Sequence, residues 1–160
     1  MERTDCRQRL GEVLVREIEC AAAFVQVLDA EKTALAGRDP SALEAAVEAK
    51  QRCAEELQEL DRQREELLKS AGFSPDRAGV ESCIQWCDTG NSLSSRWQRL
   101  LALLEQCRDL NLANGNLLEL NRRHAERALA ILRGQQPDAK LYGPAGETTT
   151  CSLSRTLGWV

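Results

Sequence analysis

Aromatic residues make up only 4% of the chain, and histidine occurs once, at position 124. A core built on bulky rings is therefore excluded, and imidazole chemistry has almost nothing to work with. Val and Ile are sparse and seldom alternate with polar neighbours, which leaves β-strands without support. No apolar run reaches the roughly 18 residues needed to cross a bilayer, so no membrane-integral segment is expected. A basic excess is missing too: 21 Lys and Arg face 25 Asp and Glu, for a net charge of −4. No Lys/Arg stripe stands clear of its Glu neighbours, and counterion release from phosphate would drive binding only weakly. Nucleic acid is a poor partner for such a surface; another protein is a better one.

Glycine and proline are absent from residues 12–36 and again from 41–71. They gather instead at Gly37 to Pro40, Gly72 to Pro75, Gly90 to Ser92 and Gly134 to Pro137, where they end one helix and begin the next. Between these breaks the apolar residues recur at steps of three and four, the helical period. In the first segment they are Leu10, Leu14, Ile18, Ala21, Val25 and Leu28. In the second, Leu43, Ala46, Cys53, Leu57, Leu60 and Leu67 fit positions a and d of a seven-residue repeat. A short segment from about Pro75 to Cys87 presents Val80, Ile84 and Cys87. The last begins with Leu93, Trp97, Leu100, Leu104, Cys107 and Asn111, and continues through Asn114, Leu118, Asn121, Ala125, Ala128 and Leu132.

One apolar stripe per helix cannot stabilise that helix alone, so each must pack on another. The short connections favour antiparallel neighbours. The fold class predicted is all-α, an elongated antiparallel helical bundle or coiled-coil-like hairpin over 1–133. Residues 134–160 form a flexible tail. That tail holds Gly143, Pro144 and Gly146 but also Leu141, Tyr142, Leu153, Leu157, Trp159 and Val160, more apolar groups than a solvated terminus needs. Leu153, Leu157 and Val160 would share one face of a short helix, ordering on contact with a partner.

Two features depart from an ideal bundle. Lys50 and Arg64 occupy the seam of the second helix, where an unpaired buried charge is expensive. Either their aliphatic stems cover the seam while the heads reach water, or they set the register by pairing across the bundle or hold a partner's carboxylates. The second feature is Asn114-Gly115 inside a helical pattern. An interior Gly costs about 1 kcal/mol relative to Ala, which suggests close approach of a neighbouring helix or of a partner.

Catalytic chemistry finds little footing. Seven cysteines lie at scattered spacings. With no apolar leader behind Met1 to Asp5, they read as reduced thiols of a cytoplasmic protein. Cys83 and Cys87 share a helix face, yet no second pair follows and His124 is distant in sequence, while zinc normally takes four ligands. Gly143-Pro144-Ala145-Gly146 lacks the Lys-Ser/Thr of a phosphate loop. No enzyme, cofactor or metal is expected.

Three ordered stretches carry a family resemblance. Lys50 to Arg64 gives Lys-(x)₁₃-Arg with leucines between. Asp109 to Glu119 contains Leu-Asn-Leu-Ala-Asn-Gly-Asn-Leu-Leu, followed by Ala128-Leu129-Ala130-Ile131-Leu132. Leu141 to Thr148 reads Leu-Tyr-Gly-Pro-Ala-Gly-Glu-Thr. Together they resemble the FlgN family of flagellar type III export chaperones. The resemblance implies a cytoplasmic chaperone for the C-terminal helical segments of the hook–filament junction proteins FlgK and FlgL. It implies delivery of these clients to the export gate, with Tyr142, beside Leu141, docking on the gate component FlhA. It places client-binding candidates at Asn111, Asn114, Gly115, Leu117 and Leu118, with Leu153 and Leu157 in the tail. Two other readings compete. One is a homo-oligomeric coiled-coil scaffold without an export role, since a/d repeats often dimerise; the other is a thiol or metal enzyme using Cys83, Cys87 and His124.

Overall fold

The computed structural model describes residues 2–134. They form four helices, α1 (Arg3–Gly37), α2 (Pro40–Ala71), α3 (Arg77–Cys87) and α4 (Ser92–Leu132), with no strand among the described residues. The architecture is an all-α helical bundle. Tail residues 135–160, including the candidates Leu141, Tyr142, Leu153 and Leu157, lie outside the described residues.

Local chemistry sets each boundary. Arg38 closes α1 in the left-handed conformation, φ 52°, and its N–H reaches the Ala34 and Leu35 carbonyls. Asp39 then caps α2, accepting from the Ala42 N–H at 3.1 Å, with Pro40 in the first turn, where its missing N–H costs nothing. Gly72 ends α2 at φ 85°, a conformation that favours glycine. Asp76 caps α3 through the Gly79 N–H at 2.7 Å and takes the Ser74 hydroxyl at 2.8 Å. Those donors, the Gly79 N–H foremost, hold its carboxyl below the usual aspartate range. Asp88 follows α3 and accepts from the Leu93 and Ser94 N–H groups at 2.9 and 3.1 Å, so this one carboxylate caps α4.

Residues 1–118 make one compact unit. Within it α1 and α2 are antiparallel: Glu31 meets Lys50 near their connection, and Glu17 meets Arg64 further along. The first part of α4 runs parallel to α1. Arg96 donates to the Gly11 carbonyl at 3.2 Å, the Cys107 thiol to Ala21 at 3.6 Å and the Asn114 amide to Leu28 at 2.8 Å. Short α3 provides the return between α2 and α4 and packs on the start of α1.

The main core lies at that end of the unit. Leu10, Leu14 and Ala21 of α1 meet Leu67 and Leu68 of α2, Val80, Cys83, Ile84 and Cys87 of α3, and Leu93, Trp97 and Leu100 of α4. Fully burying one Leu or Val side chain contributes about 1.5–3 kcal/mol. Glycine permits two close approaches. A Cβ on Gly79 would lie 1.8 Å from the Ser74 carbonyl oxygen, and one on Gly11 would meet Arg96 and Leu93 of α4 at 3.0 and 3.3 Å.

Gly115 behaves otherwise. The helix runs through Asn114-Gly115 unbroken, but a Cβ there would meet nothing within 4 Å. The neighbouring-helix approach expected at Gly115 is therefore absent, because the residue sits on the open side of α4. Leu104 and Asn111, placed on the buried stripe by spacing alone, are exposed as well.

A second unit begins at Glu119. Its described residues continue α4 with an exposed charge ladder, in which Arg122 pairs with Glu119 and Glu126, and Arg123 with Glu119. Leu120, Leu129, Ile131 and Leu132 of this segment are exposed apolar side chains.

Candidate functional site

Two polar layers cross the apolar interior of the first unit. In one, Glu31 of α1 is 7% exposed and accepts both from Lys50 Nζ of α2, at 3.1 Å to each oxygen, and from Asn114 Nδ2 of α4, at 2.8 Å. Asn114 also donates to the Leu28 carbonyl. One carboxylate thus gathers a cation and an amide from the two other long helices.

In the second layer, Glu17 of α1, 2% exposed, accepts from Arg64 of α2. Arg64 also donates to Asp61, and its guanidinium carbon lies 5.3 Å from the centre of the Trp97 ring of α4. Cation–π attraction and the carboxylate act on the same group. Burial pushes the Glu17 carboxyl above its ordinary value, an effect that Arg64 opposes without cancelling.

Lys50 and Arg64 therefore spend their charges on partners inside this unit. Asn114 is likewise committed: at 2% exposure its side chain faces Leu28 and Glu31 and offers nothing outward. Asn111, Gly115 and Leu118 are exposed and Leu117 is half-buried. Asn111 borders a groove of about 500 Å³ lined also by Phe24, Val47, Lys50, Leu104 and Cys107. Val47 and Leu104 are 50% and 38% exposed there, which makes it an open, partly apolar furrow.

Burial along α4 stops while the apolar spacing continues. Leu93, Trp97, Leu100, Cys107 and Asn114 are buried. From there to the end of the helix no residue is, and Leu118, Leu129 and Leu132 stand 53%, 49% and 82% exposed. Spacing in the sequence places Leu118 and Leu132, though not Leu129, on the stripe; it does not show where burial ends.

The thiol pair Cys83 and Cys87 is not alone. Cys6 of α1 joins them, and the three sulfur atoms lie within 4.8 Å of one another. Sequence reasoning missed this because Cys6 is 77 residues from Cys83. His124, the other residue of the enzyme reading, is exposed on α4 and is not among that group. Burial pushes the Cys83 and Cys87 thiols up, away from the thiolate form that a nucleophile needs. No helix among the described residues is long and apolar enough to cross a membrane.

The chain is similar to known proteins over part of its length. A Flagella synthesis protein FlgN of Yersinia enterocolitica is 43% identical over 68 residues, covering 42% of this chain and 46% of that protein. The Salmonella typhimurium protein of the same name is 29% identical over 94 residues, 59% of this chain and 66% of that one. These matches thus span from about half to just under two thirds of the relatives' length. A crystal structure of a flagella synthesis protein FlgN from Pseudomonas aeruginosa superposes with a TM-score of 0.61 at 33% identity, over 67% of this chain and 84% of that chain. The family model described as FlgN protein matches residues 1–150, and the chain belongs to the FlgN family.

Proposed function

We propose that this protein is a cytoplasmic flagellar export chaperone that holds the C-terminal helical segments of the junction proteins FlgK and FlgL and presents them to the export gate. One observation carries the reading: on α4 the apolar spacing outlasts the burial, so leucines that a bundle would normally cover stand open. An amphipathic client helix recognises such a face through anchors at i, i+3 and i+7. Covering the client's own apolar face keeps it from its neighbours until export. The furrow beside Asn111, flanked by Val47 and Leu104, supplies further apolar surface in the first unit.

Within this reading Leu117, Leu118, Asn111 and Gly115 are client-side positions, joined by Leu153 and Leu157 of the 134–160 segment. Asn114, Lys50 and Arg64 serve the bundle instead. Membership of a family whose relatives are named for flagella synthesis favours this assignment over a self-associating scaffold.

The test is a titration of full-length chain with a peptide copying a junction protein's C-terminal helix. Leu118→Gln with Leu129→Gln should leave helicity by circular dichroism unchanged and weaken binding at least about tenfold, a loss of about 1.4 kcal/mol. Unchanged affinity in the folded variant removes the α4 face from the proposal. A purified chain that is a stable oligomer and ignores the peptide favours the scaffold.

A further inference from the structure

Three cysteines from two helices converge in the core of the first unit, outside the surfaces considered above. Cys83 and Cys87 stand one turn apart on α3 and so share a face, and Cys6 approaches from the first turns of α1. They are 0%, 1% and 0% exposed respectively, and the Cys6 and Cys83 sulfurs lie 3.5 Å apart. All three sulfurs fall within 4.8 Å of one another.

An ion bonded to three sulfurs at about 2.3 Å in a plane holds them about 4 Å apart. One observed separation is 3.5 Å and none exceeds 4.8 Å, a spacing that accommodates that triangle. We propose that Cys6, Cys83 and Cys87 form a three-sulfur site for a thiophilic d¹⁰ metal ion, best matched to monovalent copper.

The donor set selects the ion. Soft sulfur ligands favour Cu(I) and Zn(II) over harder metals. Zinc completes a tetrahedron, yet no fourth Cys, His, Asp or Glu among the described residues joins the group. Asp88, next in sequence to Cys87, has its carboxylate committed to the backbone of Gly90, Leu93 and Ser94. Copper(I) needs no fourth ligand, and a closed apolar surrounding shields it from water and oxidant. Each copper–thiolate bond that forms replaces an S–H bond and sends one proton to solvent, with no change of oxidation state.

Helix α3 has 11 residues and lies between the Gly72 to Asp76 and Asp88 to Asn91 connections. A bound ion would then join α3 to the start of α1.

The experiment titrates the reduced full chain anaerobically with Cu(I) against bicinchoninate, and separately with Zn(II) against a chromophoric indicator. One equivalent of Cu(I) should be withdrawn from the competitor, with proton release measurable in buffers of different ionisation heat. Cys83→Ser and Cys87→Ser should each weaken uptake at least about tenfold, whereas Cys53→Ser, a half-buried thiol outside the group, should not. X-ray absorption at the copper edge should show three sulfurs, a readout available even if a serine variant fails to fold. No stoichiometric uptake, zinc bound in preference to copper, a shell with fewer than three sulfurs, or full uptake by a folded Cys6, Cys83 and Cys87 triple serine variant would each overturn the proposal.

Discussion

Gly79 shows how much a single hydrogen can decide. Its Cβ position is already occupied by the Ser74 carbonyl, so the connection from α2 folds directly over the first turn of α3. Gly79→Ala must displace that loop or tilt the helix, and overpacking of this kind costs about 1–3 kcal/mol. Urea denaturation should register that loss, while the same substitution at Gly115, which faces open space, should be neutral or stabilising through helix propensity. Glu17 offers a pH-dependent counterpart. Burial raises its carboxyl above the ordinary 4.5, so its contribution to stability is complete below that pH and declines as pH climbs through the raised value. Glu17→Gln should remove this decline. Denaturation at several pH values should show the wild type losing ground against the variant as pH increases; a gap moving the other way would refute the assignment.

At the scale of helices, the two charged couples define how α1 and α2 align. Glu31 follows Glu17 by fourteen positions and Arg64 follows Lys50 by fourteen, so one antiparallel register satisfies both. Sliding α2 by one heptad would keep the apolar seams facing, yet one direction would set Lys50 opposite Phe24 and Arg64 opposite Leu10, and the other Lys50 opposite Arg38 and Arg64 opposite Phe24. Apolar repeats alone do not separate these alignments, whereas the stranded charges do. Lys50→Met leaves Glu31 nearly buried without its cation and should cost about 3 kcal/mol or more in thermal or chemical unfolding. Adding Glu31→Leu to it should recover much of that loss, measured as a coupling in a double-mutant cycle.

These layers also show what the sequence could and could not disclose. The helices were legible because residues 12–36 and 41–71 lack Gly and Pro, which cluster at the breaks, and the apolar period is regular between them. Lys50 and Arg64 stood out as cations on a seam. Their partners did not, since Glu17 and Glu31 look like any other acids on a charged helix until packing brings them inward. Asn114 belongs to a motif that the family resemblance points outward, but its amide is used within the bundle. The motif around Asn114 therefore carries two kinds of information, one buried residue that joins helices and exposed neighbours free for recognition. Cys6 was invisible for the same reason as the acids: only the return through α3 brings the first turns of α1 beside it.

For the molecule as a whole, under the proposed function, folding and recognition use different parts of one long helix. Residues of α4 up to Asn114 anchor it to α1, and none of those beyond it in the helix is fully buried. Changes to the uncovered leucines should therefore leave stability nearly intact, while changes in the polar layers should alter stability first. Under the proposed export role, gate docking is separable again, through Tyr142. Tyr142→Ala should leave junction-peptide affinity unchanged in a titration while reducing co-purification with FlhA. If gate capture is undiminished, Tyr142 does not dock.

The equal spacing of the charged couples has a consequence for how such a chain can change length. One residue inserted between Glu17 and Glu31 rotates the second acid by about 100° and shifts it about 1.5 Å, away from Lys50. Only a matching deletion inside the same span restores it. Insertions and deletions should thus be tolerated at the Gly37 to Pro40 connection or past Asn114, and rejected inside the two fourteen-residue spans unless both helices gain or lose whole heptads together.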